Sequence, residues 1–214
     1  MRKSTTKIWQ TVHAARRELV EDLSSVSGDE WLTPSLCPGW DIHDVLAHLV
    51  DTARTGRASF ARGLLAARLD FDRLNEIGIA RAKHSDPRDT LAALGRDAYL
   101  TRTPPANLAT RLVEAFVHGE DIRRPLGIPA RYPHDAVATA LDYQLKTRVS
   151  YGGGRERAHN LRLVDRDTGA SWGQGDTVEA DGIDLLLAVS GRTVEAARLT
   201  GGGAPRLSGH AAAG

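Results

Sequence analysis

The chain has 214 residues, of which 41% are hydrophobic and 26% charged, so it holds enough apolar side chains for a core of its own and is not a disordered polymer. A formal net charge of +1 supplies no long-range field, which argues against nucleic acid or a membrane surface as partner and leaves small molecules. One cysteine, Cys37, excludes an internal disulfide framework. With no apolar run near the ~18–20 residues of a membrane span and no signal-peptide core, a cytoplasmic location is expected.

Ile8, Val12, Ala15, Leu19, Leu23 and Val26 recur at three- and four-residue steps, which predicts a helix over 8–26 that Ser27-Gly28 stops. The prolines and glycine between Trp31 and Trp40 rule out regular structure there. Asp41 then reads as an N-cap with Asp44 three residues on, opening a second helix whose apolar stripe starts at Ile42 and runs towards Ala67. Helical pattern continues over 70–101 with a break at Asp86-Pro87. Further helices are expected from Asn107 to Arg124 and from His134 to Ser150, which together make a helical bundle. After Tyr151 the character changes. Alternation over 160–164, a turn at Asp167-Thr168-Gly169 and the run GQGDTV predict two or three short strands, followed by helices over 181–190 and 193–200 and a ragged glycine-rich end from 201 to 214. The expected domains are therefore a helical bundle, 1–150, and a small α+β unit, 151–214.

Glu114 and His118 stand four residues apart on one predicted helix, with Cβ atoms roughly 5–6 Å apart. Their neighbours Leu112, Val113, Ala115, Phe116 and Val117 make that helix apolar nearly all round, so the carboxylate needs a partner or a cation. His48 lies at the edge of the apolar stripe of the second helix. Two histidines and a carboxylate form a common catalytic zinc set with a fourth position open, and the set also suits other divalent metals. By spacing alone, Glu114 and His118 read more often as an ordinary ion pair than as metal ligands, and His48 more often as a core-edge histidine bonded to a carbonyl.

The run Leu36-Cys37-Pro38-Gly39-Trp40, followed by Asp44-Val45-Leu46-Ala47-His48-Leu49, resembles the lead into the second helix of the mycothiol-dependent maleylpyruvate isomerase family, a branch of the DinB-like superfamily. Glu114-Ala115-Phe116-Val117-His118-Gly119, with Asp121-Ile122 and Pro125-Leu126-Gly127, is similar to that family's metal-binding helix. Trp172-Gly173, Gly175, Asp181-Gly182, Leu185-Leu186-Leu187 and Gly191-Arg192 resemble its appended small domain. The resemblance implies a mainly α fold, a DinB-like up-down bundle with a small α+β C-terminal domain. It implies zinc at His48, Glu114 and His118, with mycothiol as thiol cosubstrate. In the reaction it implies, a thiolate adds to an activated double bond, rotation follows, and elimination returns the trans product; a transferase would release the adduct instead.

No substrate transfers with the resemblance. Cys37, between leucine and proline without a basic neighbour, reads as structural and not as a nucleophile. Arg192 is a candidate for an anionic substrate group, against a turn or interface salt bridge. Asp121 is a candidate to orient a metal ligand, against a solvated helix-end carboxylate. His13, His43, His84, His134, His159 and His210 lack a matching partner pattern. A metal hydrolase and a non-catalytic metal-bound regulatory or binding module are the competing readings.

Overall fold

The structure, a computed structural model, describes residues 2–208, with Arg2 and Lys3 described in backbone only. His210 and the last residues of the expected ragged end lie outside the described residues. Two compact units form, Met1–Ala130 and Arg131–Gly214.

In the first unit, α1 (Arg2–Asp22) buries Val12, Ala15 and Leu19, and the stripe continues through Leu23 and Val26 beyond the helix proper. Ser27 is extended and its N–H donates to Glu30 Oε2 at 3.0 Å, which starts a 3-10 turn over Gly28–Leu32. The segment that follows is an irregular loop, pinned by Ser35, whose N–H and hydroxyl both donate to the Trp40 carbonyl. α2 (Ile42–Arg54) opens on a reciprocal cap: Asp44 N–H donates to Asp41 Oδ1 at 2.6 Å and Asp41 N–H to Asp44 Oδ2 at 3.2 Å.

α2 stops earlier than its pattern suggests. Gly56 takes an extended conformation and its N–H donates to Ser59 Oγ at 2.8 Å, so a new helix, α3 (Arg57–Ala66), begins where continuation to Ala67 was expected. α4 (Phe71–Ala82), α5 (Pro87–Asp97, with proline in its first turn) and α6 (Thr110–Arg123) complete the unit. α1 packs on α5 and α6, and α2 packs on the same two, so the four helices close into a ring, with α4 packed on α2 and adding Ile79 and Ala82 to the core. Trp31, Ile42, Val45, Leu46, Val50, Leu94 and Ile122 are among the core that this ring encloses.

The second unit starts with α7 (His134–Lys146), which packs on α8 (Gly182–Val189). That pairing moves the division of the chain to Ala130/Arg131 from the expected 150/151: Ala136, Val137, Ala140 and Leu141 bury their stripe with the second unit's core. Three strands, β1 (Leu161–Asp165), β2 (Ser171–Gly173) and β3 (Asp176–Ala180), form a sheet in the order β2-β1-β3. β2 runs antiparallel to β1 after the predicted turn, and β3 runs parallel to it. α8 covers β1 and β3 with Leu185 to Val189, a fully apolar run.

The helix expected over 193–200 shrinks to a 3-10 turn, Ala196–Arg198. The reason is a competing partner: Thr200 and Glu179 exchange both backbone hydrogen bonds, at 2.8 and 2.9 Å, which holds Thr200 extended along β3. Residues 201–208 are not ragged either. Gly203 N–H donates to the Thr177 carbonyl, and α9 (Ala204–Ser208) docks against β3 with Ala204 and Leu207 buried. No helix among the described residues is long and apolar enough to cross a membrane.

Candidate active site

α2 and α6 are packed neighbours, and each delivers one imidazole to their contact. His48 follows Val45, Leu46 and Ala47 on α2 and is 7% exposed; His118 follows Phe116 and Val117 on α6, its side chain 15% exposed. The two ring centres are 4.8 Å apart, edge to face. Trp40 lies over both, 5.1 Å from His48 and 6.4 Å from His118. The irregular loop makes this possible, because Leu36 N–H donates to the Asp121 carbonyl on α6 and Trp40 N–H to the Cys37 carbonyl, which ties the loop to the helix that carries His118.

His118 Nδ1 donates to Asp121 Oδ2 at 2.8 Å, and Asp121 is fully buried. A solvated helix-end carboxylate is thereby excluded. In the neutral ring this bond places the proton on Nδ1 and leaves the lone pair on Nε2. Burial, reinforced by the neighbouring His118, pushes the His48 pKa down to about 3, so the His48 ring is neutral at ordinary pH and has a lone pair to offer.

Glu114 faces a different partner from the one its spacing suggested. Burial by itself would raise its pKa, but Arg111, then His48, outweigh burial and hold the carboxyl below its ordinary value. Arg111 grips it twice, Nη2 to Oε2 at 2.7 Å and Nη1 to Oε1 at 3.3 Å. The Thr52 side chain on α2 adds a further hydrogen bond. The predicted pairing of Glu114 with His118 is therefore replaced by an ion pair one turn earlier on the same helix.

Two imidazoles that share a tetrahedral ion at ~2.0–2.1 Å place their ring centres about 5 Å apart. The His48–His118 separation of 4.8 Å fits that spacing, with the His118 ring fixed by Asp121 and the His48 ring buried. The carboxylate fits less directly. Among the described residues no group of three or more His, Cys, Asp and Glu side chains converges on one point, and Glu114 would have to share its oxygens with Arg111.

The remaining candidates fall elsewhere. Arg192 belongs to the second unit, where its Nη1 donates to the Ser190 carbonyl at 3.3 Å at the end of α8. Arg157 stands nearby, bonded to the Gly153 and Val189 carbonyls, its pKa lowered by burial first and by Arg192 second. Cys37 is half-buried against the first unit's core, its N–H donating to Ser35 Oγ at 3.0 Å, as suits a structural residue. His43 bonds Thr90 Oγ1 at 2.8 Å in the core, and His13 stacks on Trp9 and meets Tyr99 edge to face. Sequence reasoning missed Arg111, Thr52 and the place of Trp40 over the histidines. Only the first had a signal, an arginine one helical turn before a buried glutamate.

No curated protein matches the chain. Two solved structures do: the mycothiol-dependent maleylpyruvate isomerase, 16% identical, and a histidine-to-alanine mutant of it, 15% identical. Each aligns over 92% of this chain and 92% of the other with a TM-score of 0.65, a likeness of fold. Residues 12–123, from α1 through α6 and so including both histidines, Glu114 and Asp121, match the family described as the mycothiol maleylpyruvate isomerase N-terminal domain. The match covers more than half of the chain, and the chain belongs to that family.

Proposed function

We propose that this chain is a cytoplasmic, thiol-dependent enzyme that joins a small-molecule thiol, mycothiol, to a small electrophile as an isomerase or an S-transferase. We further propose that His48, Glu114 and His118 hold one divalent metal, zinc being the first candidate. The observation that supports this best is the pair of imidazoles 4.8 Å apart, one of them fixed through Nδ1 by a buried carboxylate. A metal in that position favours the thiolate over the thiol at neutral pH. Since thiol ionisation gains only about an order of magnitude in nucleophile, and a lower pKa also weakens the nucleophile, most of the acceleration must come from holding the two reactants together.

The chain's own residues have distinct tasks in this reading. Asp121 fixes the ring orientation and tautomer of His118. Burial keeps His48 unprotonated. Trp40 shields both rings from water on one side. Arg192 is the proposed anchor for an anionic group of the electrophile, where a guanidinium suits a carboxylate.

Protein purified without chelator should carry close to one transition-metal ion per chain by elemental analysis. Turnover of a maleylpyruvate-like electrophile should require added mycothiol. Full activity in thiol-free buffer would point to a hydrolase instead, and bound metal without turnover of any electrophile would point to a regulatory or binding module. Absence of metal, with no uptake of added zinc, removes the ligand assignment.

A further inference from the structure

The only negatively charged side chain in the proposed ligand set is already neutralised by a cation of the chain itself. Arg111 precedes Glu114 by three residues on α6 and is 6% exposed. Its two Nη atoms meet the two carboxylate oxygens at 2.7 and 3.3 Å, the paired geometry in which guanidinium and carboxylate match best. The rest of the guanidinium is poorly served. Among the described residues Nε is buried without a hydrogen-bond partner, and beyond Glu114 Nη1 has a 3.5 Å contact to the Thr52 carbonyl. A buried cation with an unmet donor is costly, so what holds Arg111 in the bundle is Glu114.

The surroundings add to the imbalance. Arg111 and Glu114, with Arg16, Val12, Leu19 and Leu49, line a cavity of about 10 Å³ between α1, α2 and α6. That is room for about one water. Arg16 is buried there too, anchored to the Ala98 and Leu100 carbonyls. The enclosure therefore holds two guanidinium groups against one carboxylate. A divalent ion that drew on Glu114 would bring two more positive charges into a weakly screened interior, and the cheapest relief is for Arg111 to leave the carboxylate.

We propose that Arg111 is an internal competitor for the metal: it holds Glu114 when no ion is bound, and ion uptake exchanges the guanidinium for the ion on that carboxylate. Arg111 thus sets the metal affinity and keeps the metal-free bundle folded. This rests on the reading of His48, Glu114 and His118 as ligands, and it assigns Arg111 a positioning role, not a catalytic one.

Zinc affinity, measured by competition with a chromophoric chelator, and thermal melting with and without zinc test the proposal on wild type, Arg111→Met and Arg111→Lys. Arg111→Met should bind zinc at least about tenfold tighter than wild type, since Glu114 no longer has to be released, a change of about 1.4 kcal/mol. It should also melt well below wild type without metal and recover most of that loss with zinc. Arg111→Lys, which keeps the charge but not the paired geometry, should fall between. Equal or weaker zinc binding by Arg111→Met overturns the proposal while leaving the ligands intact, because it would mean that Arg111 supports the carboxylate in the metal-loaded state. Should Arg111→Met fail to fold without metal, refolding in zinc is the expected rescue. Failure in both conditions, with Arg111→Lys binding zinc as wild type does, also overturns it. Zinc uptake by none of the three proteins overturns the ligand reading and the competition with it.

Discussion

Three imidazoles of this chain, those of His48, His43 and His13, are tuned mainly by burial. His48 is pushed to about 3, and His43 and His13 are lowered, with burial the largest cause in each. A lowered histidine means that the unfolded chain takes up a proton near its ordinary pKa of about 6.5 while the folded chain refuses it. Stability is then complete above about 6.5 and falls as the pH drops towards the folded value, by up to about 1.4 kcal/mol per pH unit for each such histidine. Glu114 acts in the same sense at lower pH: its carboxyl is held below the ordinary value, so its contribution is present above the unfolded pKa and is lost as the folded form takes up its proton. Urea unfolding of the metal-free protein should therefore show a midpoint that declines steadily from about pH 6.5 downwards, with a smaller decline in His48→Gln. A midpoint unchanged down to about pH 4.5 would contradict the burial argument. At the same scale, His118→Ala should lower zinc affinity by orders of magnitude, whereas Cys37→Ser should leave it nearly unchanged. The opposite pattern in a zinc titration would sink the role assignment.

Helix starts were legible in the sequence wherever a side chain must satisfy the first free N–H groups. Asp41 with Asp44 and Asp86 with Pro87 mark α2 and α5 because no other arrangement serves those donors as well. Asp41→Ala should cost about 1 kcal/mol in chemical denaturation, and a loss below about 0.3 kcal/mol would show that Lys83, which meets both Asp41 and Asp44, and the packing of α2 make the cap redundant. Helix ends were less legible. Residues 57–67 continue a helical pattern, and only a hydroxyl at Ser59 bonding back to Gly56 reveals the break after α2. The tail was misread because glycine signals both flexibility and close approach. At Gly203 it is the second: a Cβ would sit 2.7 Å from Leu161 Cδ2 and 2.8 Å from Val178 Cγ2. Gly203→Val should lower the melting temperature of the protein, and an unchanged melt would mean that α9 undocks without consequence. The site was legible in part. The family motifs singled out both histidines and Asp121, but the pairing of Glu114 with Arg111 and of His118 with Asp121 depends on rotamers that spacing alone does not specify.

At the scale of the molecule, the proposed ligands all come from one compact unit. His48 lies on α2 and Glu114 and His118 on α6, both within Met1–Ala130, while the sheet and its covering helices have a separate core built on Leu161, Leu163, Val178 and Leu185 to Val189. Metal bound by α2 and α6 would cross-link two packed helices, and a ligand that binds the folded state raises the cost of every opening that separates its ligands. Openings confined to the sheet leave those ligands together and are not penalised. Hydrogen exchange followed by mass spectrometry, with zinc alone added and neither thiol nor electrophile present, should therefore show added protection in peptides from Ile42–Arg54 and Thr110–Arg123. Peptides from Leu161–Asp165 and Asp176–Ala180 should exchange as before. Protection confined to the sheet, or absent from α6, would place the ion somewhere other than His48, Glu114 and His118.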